Sequence, residues 1–437
     1  MAQSGSALTA SSLRRVGRVV ASLPIGGLLF APPKAAKFAM DTWWKGRRPP
    51  EDPHDPVVPL TVAMVAQVAL DEAVLAVMRK PRANVGEADY VAISAELAEA
   101  QALYERKGWL DSPTRYHRDP EPLSDPRITR SWAAGVTHDR LSWPSRFEPY
   151  PNEPGRDRWL AYEANRTAHA RVISCADPDR PWLVCIHGFG TGWPMADFFA
   201  FRVRRLARDL GLNVVLPVLP VHGARRASRL GGQELMSSQL QNFVLGMGQA
   251  VWDIRRLLTW IRSRGGTQVG LYGMSLGAYV AALLATVEPG LDVVIAGAPV
   301  SDLPKLYDTH SPGRIRREIA RRGLSVEFAQ RAHRVVSPLA APPLVDRERL
   351  YLYAGLGDRM STPGQARALW EHWGRPEIEW YPGSHMTFIW SAQVARFVDR
   401  ALVESGFVSS QTVAAAPPPT SPPGVTEPHM PPQASTG

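Results

Sequence analysis

Residues 268–278 read QVGLYGMSLGA. The run Gln268–Tyr272 is short and apolar, as in a buried β-strand, and the residues after Ser275 favour a helix. A serine between Gly273 and Gly277 forms the Gly-x-Ser-x-Gly pattern of a strand that reverses sharply into a helix, because the two glycines permit close packing around the turn. Such a turn holds the serine hydroxyl above the edge of the sheet, next to the positive end of the helix dipole. Ser275 is therefore the candidate nucleophile.

A second glycine-rich loop follows the predicted strand Trp182–Ile186. It consists of His187, Gly188, Phe189 and Gly190. A loop in this position can direct a backbone N–H towards a developing oxyanion, and a second N–H would come from Leu276, directly after the candidate nucleophile. His187 itself could be taken for a base, but we interpret it as a structural histidine whose ring bonds the loop backbone.

Two further loops carry an acid and a histidine at the ends of predicted strands. Asp358 follows the strand Leu350–Ala354 in the sequence Gly-Leu-Gly-Asp, and His385 follows the strand Glu377–Tyr381 in the sequence Gly-Ser-His. The carboxyl ends of parallel strands meet at one edge of a sheet, so these side chains are expected near the serine.

These four segments resemble the α/β-hydrolase superfamily of serine hydrolases, over about residues 137–405. The resemblance implies an α/β fold with a mostly parallel central sheet and helices on both faces. The catalytic residues that it carries over are Ser275 as nucleophile, Asp358 as acid and His385 as base. It also implies that the backbone N–H groups of Phe189 and Leu276 form the oxyanion hole, with Gly188 supporting that loop.

Asp302 is a second candidate for the acid. It follows the predicted strand Val293–Ala296, and some members of the superfamily place the acid there. We favour Asp358, because Gly357 before it and Pro363 after it fit the usual loop. Asp302 is then interpreted as the N-cap of a helix.

The residue types suit acyl transfer. Serine is a weak nucleophile at neutral pH and needs a base to take its proton. His385 can accept and return a proton near pH 7, while Asp358 would fix its tautomer and stabilise the imidazolium. The leading hypothesis is a carboxylic ester hydrolase. A peptidase, thioesterase or acyltransferase could use the same triad, and a non-catalytic binding protein is disfavoured because the triad is intact. No cofactor or metal is implied.

The sequence divides into three parts. Residues 1–127 are expected to form an N-terminal helical extension and a linker, with one helix near Val62–Met78 and a second ending near Arg106. Residues 128–405 alternate predicted strands and helices, as in a hydrolase domain with a mostly parallel sheet. The proline-rich residues 406–437 are expected to be a disordered tail.

An insertion at about residues 300–346 interrupts this alternation and is expected to form a helical cap near the nucleophile. The alternative is a rigid buttress that packs on the N-terminal helices. Its positions Leu306 and Ile315 could give it an apolar underside that favours acyl chains, so the substrate is expected to be a small-molecule or lipid acyl ester. Two stretches rich in arginine, 202–229 and 314–334, are interpreted as solvated faces, with contact to anionic membranes as the alternative.

Composition sets broad limits on the function. The 437 residues are 45% hydrophobic and 21% charged, as in folded globular proteins, and the net charge of +9 is too small over this length to indicate a nucleic-acid partner. Two cysteines, Cys175 and Cys185, exclude a disulfide framework. The short apolar run Val19–Ala31 resembles a signal peptide without a cleavage site. We expect a cytoplasmic protein, with peripheral membrane contact as the alternative; the oligomeric state is left open.

Overall fold

A nine-stranded sheet forms the centre of the described part of the chain. The computed structural model describes residues 31–47, 56–79, 87–174, 180–311 and 313–417. The strands are β1 (Arg127–Ala133), β2 (Val136–Pro144), β3 (Thr167–Ile173), β4 (Trp182–Ile186), β5 (Asn213–Pro217), β6 (Val269–Met274), β7 (Val293–Gly297), β8 (Leu350–Gly355) and β9 (Glu377–Tyr381). Their order in the sheet is β1-β2-β3-β5-β4-β6-β7-β8-β9. The strands from β5 to β9 in that order are parallel, so the predicted α/β class with a mostly parallel sheet is confirmed.

Helices cover both faces of this sheet. They are α1 (Ala31–Lys45), α2 (Val62–Arg79), α3 (Glu87–Arg106), α4 (Arg156–Leu160), α5 (Pro194–Ala200), α6 (Gln241–Ser263), α7 (Leu276–Leu284), α8 (Leu303–His310), α9 (Gly313–Arg321), α10 (Val326–His333), α11 (Pro363–His372), α12 (Ala392–Glu404) and α13 (Ser410–Ala415). In β4, Val184 belongs to the core shared with α6, while Cys185 belongs to the core shared with α12. Because both faces are buried, the strand is apolar without alternation.

The antiparallel edge of the sheet begins with a hairpin that the sequence analysis did not predict. Strands β1 and β2 pair from Arg127 to Ser142, and the two-residue turn between them is Ala134–Gly135. Both turn residues have positive φ, which suits the twist of a tight hairpin. Strand β1 is largely exposed, with Trp132 at 70% exposure, so it lacks the apolar signal of the buried strands.

The folded domain continues past residue 405, where the sequence analysis placed the start of a disordered tail. Phe407 and Val408 are buried in the core beside α12, and α13 follows them. These two apolar residues anchor the segment. The many prolines farther along the chain led to the prediction of disorder from residue 406 onwards. Residues 418–437 lie outside the described part of the chain.

The insertion between β7 and β8 is helical, as expected, and much of its apolar surface packs on the N-terminal extension. Ile319, Leu324 and Ala332 form a cluster with Leu97 of α3. This part of the insertion is therefore a buttress between the hydrolase domain and the extension. Leu306 joins the main core, and the side chain of Ile315 lies outside the described part of the structure.

Two arginines of the first basic stretch, 202–229, are committed to internal contacts, whereas most of the arginines described in the two stretches are exposed, as the prediction of solvated faces requires. Arg225 is buried and pairs with Asp253 at 2.8 Å. Arg205 is also buried and pairs with Asp399 at 2.8 Å. A buried charge needs such a partner, and both partners lie far along the chain, where no local pattern indicates them.

The apolar run considered as a signal, Val19–Ala31, lies outside the described residues except for its last position. Within the described ranges, no helix is both long and apolar enough to cross a bilayer. Helix α2 comes nearest in composition, but Asp71 and Glu72 interrupt it. Both side chains are buried in the interior of the protein.

Gly277→Ala is expected to lower the free energy of unfolding by at least about 2 kcal/mol. A Cβ at this position would lie 1.9 Å from the carbonyl oxygen of Ile186, so β4 and α7 would have to separate. Urea denaturation measures the loss. Gly364→Ala is the matched control, since a Cβ there meets only Thr362 Oγ1 at 3.9 Å, and it should change stability by less than about 1 kcal/mol. Equal effects of the two substitutions would contradict the packing argument.

Candidate active site

Ser275 occupies a strained turn between β6 and α7. Its backbone has φ 55° and ψ −117°, a conformation that costs a non-glycine residue about 1–3 kcal/mol. The backbone is held there because the N–H of Ser275 donates to the carbonyl of Gly297 at 2.8 Å. A Cβ on Gly273 would lie 2.2 Å from the carbonyl oxygen of Gly277, so only glycine allows this turn. The fold thus holds the hydroxyl at the carboxyl end of the central strands.

His385 connects this serine to a carboxylate. Its Nε2 lies 3.1 Å from Ser275 Oγ, and its Nδ1 lies 2.7 Å from Asp358 Oδ2. His385 and Asp358 are 5% and 2% exposed, whereas Ser275 is half-buried. The three side chains lie at the ends of β6, β8 and β9. They form one hydrogen-bonded line whose serine end is the most open to solvent.

The acid loop, residues 356–362, is held by its own backbone. Asp358 Oδ1 accepts hydrogen bonds from the N–H groups of Met360 and Ser361, both at 2.8 Å. The Ser361 hydroxyl donates to the carbonyl of Ala298 at 2.7 Å and lies 3.0 Å from His385 Nδ1. These contacts fix the carboxylate in the orientation in which its other oxygen meets the imidazole.

The electrostatics around His385 favour its protonated form. Burial by itself would lower the pKa of His385, but the charge and hydrogen bond of Asp358, with the charge of Asp71, outweigh it and raise the pKa above its usual 6.5. An imidazole with a raised pKa is a stronger base for a serine proton. The arrangement therefore suits proton transfer between Ser275 and His385.

Asp302 does not contact His385 in this structure. Its carboxylate accepts a hydrogen bond from the N–H of Lys305 at 3.0 Å and caps α8, and it also accepts from the side chain of Gln330. Of the two acids considered from the sequence, Asp358 is the one that the structure brings to the histidine. Asp302 has the N-cap position that its alternative interpretation assigned to it.

The loop after β4 lies directly against the serine. A Cβ on Gly188 would be 3.4 Å from Ser275 Cβ, and Phe189 is the next residue of this loop. The N–H of Leu276 starts α7 and has no intrahelical acceptor. His187 is buried: its Nε2 accepts from the N–H of Leu219 at 3.0 Å, and its Nδ1 lies 2.8 Å from the Gly188 carbonyl. Burial lowers the pKa of His187 to about 4, so it is a neutral, structural ring.

Comparison with known proteins identifies this architecture. Residues 159–333 match the family described as alpha/beta hydrolase domain containing 18. The chain belongs to the α/β-hydrolase superfamily. Two uncharacterized proteins of Mycobacterium tuberculosis, from strains CDC 1551 and H37Rv, are each 40% identical to this α/β-hydrolase over 357 residues, which cover 81% of it and 86% of each relative.

Solved structures of low sequence identity are also similar to this α/β-hydrolase. Acetyl xylan esterase 1 from Thermoanaerobacterium is 15% identical, with a TM-score of 0.43 over 64% of this chain and 87% of the esterase. A putative hydrolase from Agrobacterium vitis is 14% identical, with a TM-score of 0.40 over 64% of this chain and 98% of that protein.

Three polar residues near the site of this α/β-hydrolase were missed by the sequence analysis: Gln67, Asp71 and Ser361. Asp358 itself had a signal, because an aspartate in a loop commonly accepts from the backbone N–H two residues on, and such a turn brings Ser361 next to the carboxylate. Asp71 and Gln67 lie in the run VAQVALDEAVLA of α2, which is apolar nearly all round. A helix of that kind is buried, so its polar residues require partners, although nothing local says which.

The described residues hold no group of three or more histidine, cysteine, aspartate or glutamate side chains placed to bind a metal ion. The chemistry considered below uses the side chains and backbone groups of the chain itself.

Proposed function

We propose that this α/β-hydrolase is a serine hydrolase that cleaves carboxylic esters through an acyl-enzyme. The observation that carries the proposal is the unbroken line of hydrogen bonds from Ser275 through His385 to Asp358, at 3.1 and 2.7 Å. A neutral serine hydroxyl within reach of an imidazole whose far nitrogen meets a carboxylate is the arrangement that activates serine.

Acylation follows from this geometry. Ser275 Oγ attacks the ester carbonyl carbon while its proton passes to Nε2 of His385. The carbonyl electron pair moves to oxygen, and the N–H groups of Leu276 and Phe189 bind the resulting oxyanion. When the carbonyl re-forms, the bond to the alcohol oxygen breaks, and the alcohol leaves with the proton from His385. Asp358 remains ionised and stabilises the imidazolium throughout.

Deacylation repeats the same steps with water. His385 takes a proton from a water molecule, whose oxygen attacks the acyl carbon bound to Ser275. Collapse of the second tetrahedral intermediate breaks the bond between the acyl carbon and Oγ. The proton returns from His385 to Oγ, which restores the enzyme and releases the carboxylic acid.

Acyl esters, including lipid esters, are the proposed substrate class. The half-buried serine beside a deeply buried histidine supports attack on a carbonyl that approaches from one open side. The buttress formed by Ile319 and Leu324 places part of the insertion against α3. The preference of the enzyme for acyl chains of different length is therefore a quantity to measure. A panel of p-nitrophenyl esters from acetate to palmitate gives that preference directly.

Purified protein is expected to react with a fluorophosphonate probe and to hydrolyse at least one ester of the panel. The probe forms a stable bond to an activated serine oxygen, and digestion followed by mass spectrometry should find the adduct on Ser275. Heat-denatured protein is the control, because the serine is activated only when His385 is held beside it. Folded protein that neither labels nor hydrolyses any ester of the panel would contradict the proposal.

A further inference from the structure

The buried carboxylate of Asp71, in the N-terminal helix α2, bonds to both of the loops that carry the acid and the histidine. Its Oδ2 accepts from the backbone N–H of Arg359 at 3.0 Å and from that of His385 at 2.9 Å. Its Oδ1 accepts from the N–H of Met386 at 3.2 Å. Arg359 follows Asp358 directly, so one fully buried side chain links the acid loop to the base loop, residues 382–387.

Neighbouring residues of α2 reinforce this link. Gln67 Oε1 accepts from the Ser384 N–H at 3.3 Å and from the Thr387 hydroxyl at 3.0 Å. On the other side, Glu72 pairs with the Arg359 side chain at 3.1 Å.

The helix and the acid loop are also in direct contact. A Cβ on Gly357 would lie 2.4 Å from Met64 Sδ and 3.1 Å from Val68 Cγ2, so the glycine before Asp358 permits α2 to approach this closely. Helix α2 therefore meets the acid loop through both packing and hydrogen bonds.

Asp71 also brings a second negative charge to the imidazole. The ionisable groups packed around this point are Asp358 and Asp71, with Lys34, Glu72, Arg359 and Tyr381 behind them. Burial and the charge of Asp358 raise the pKa of Asp71 to about 6, while the charge of His385 and the N–H groups of Arg359 and His385 favour its ionised form. In that form it raises the pKa of His385.

We propose that Asp71 is a positioning residue of the active site, which holds the acid and base loops in register and places a second negative charge near the imidazole of His385. This inference rests on the proposed function, because the reaction needs the imidazolium. It makes the N-terminal extension part of the catalytic apparatus of this chain. A purely structural anchor would bond to the loops without altering the titration of the histidine.

Asp71→Asn is expected to lower kcat by about 10- to 100-fold, since small displacements of catalytic groups are that costly. It should also move the acidic limb of the kcat/KM profile to lower pH. The sign follows from the charge: His385 is the base only when neutral, Asp71 raises its pKa, and removal of the charge lets the histidine stay neutral at lower pH. The measurement is ester hydrolysis from pH 5 to 9, normalised to the sites that a fluorophosphonate titrates.

Two further variants separate charge from anchoring. Asp71→Glu keeps the charge but alters the length, so it should lose kcat while its acidic limb stays near that of the wild type. Glu72→Gln is the matched control, a buried carboxylate on the same helix that pairs with the side chains of Lys34 and Arg359. It should lower the melting temperature and leave the acidic limb where it is.

NMR titration of the His385 ring, in the wild type and in Asp71→Asn, measures the expected change in the pKa of the histidine without requiring turnover. If the wild type hydrolyses no ester but the ring titrates lower in the variant, the proposed function fails and the role of Asp71 stands. A folded Asp71→Asn protein with wild-type kcat and an unmoved histidine pKa overturns the inference. If Asp71→Asn does not fold, Asp71→Glu provides the test. The inference is then overturned if the acidic limb of Asp71→Glu moves to lower pH as far as loss of the charge would move it.

Discussion

Ser275→Ala is expected to abolish ester turnover, by a factor on the order of 10⁶ in kcat according to the serine-protease precedent. The substitution removes the hydroxyl oxygen that lies 3.1 Å from His385 Nε2. The fold should be retained, because alanine has the same backbone strain at φ 55° and the lost hydrogen bond is worth about 1 kcal/mol. Hydrolysis of the best ester of the panel and a thermal melt provide the two measurements.

Ser263→Ala serves as the control for this variant. Its hydroxyl donates to the carbonyl of Trp260 at the end of α6, at 2.8 Å, and has no contact with the site. It should retain wild-type kcat. Turnover by Ser275→Ala at more than about a tenth of the wild-type rate would remove Ser275 from the mechanism.

Asp358→Asn is expected to lower kcat by a factor on the order of 10⁴. An asparagine keeps the shape of the side chain, but its amide can meet His385 Nδ1 as a donor and thereby favour the wrong tautomer of the ring. The substitution also removes the main charge that raises the pKa of His385. Because both acylation and deacylation use this proton transfer, the loss should appear in kcat, as measured over a full substrate range.

Asp302→Asn is the matched comparison. Its side-chain oxygen can still accept from the Lys305 N–H and cap α8, and Gln330 can turn its amide to suit the new group. We expect kcat within about threefold of the wild type and a stability loss below about 1 kcal/mol. The reverse ranking of the two variants would transfer the acid role to Asp302.

The fold and the triad geometry could be anticipated from the sequence because their signals are local. The strand, turn and helix around Ser275 are encoded within eleven residues, and each of the two other triad residues follows its own predicted strand. The contacts that could not be predicted join residues that lie far apart in the sequence. Asp71 meets His385 across 314 positions. No local pattern names the partners of Asp71 and Glu72, which are 0% and 3% exposed.

The insertion illustrates the same limit in another way. Its length and helical character were predictable, but the partner of its apolar side chains was not. Ile319 could cover the nucleophile or pack on another element with equal hydrophobic gain, since burial is non-directional. The choice in favour of Leu97 depends on where α3 lies, and only the tertiary structure fixes that.

The bond between Asp71 and the base loop has a consequence for folding during synthesis on the ribosome. Helix α2 leaves the ribosome early, whereas β9 and His385 are among the last parts of the domain to be synthesised. The nascent chain therefore contains Ser275 before it contains His385. Asp71 of α2 can form its hydrogen bonds to the base loop only after that loop has been synthesised. The proposed esterase activity is therefore expected only after β9 and His385 have emerged, and a chain that ends before them should be inactive.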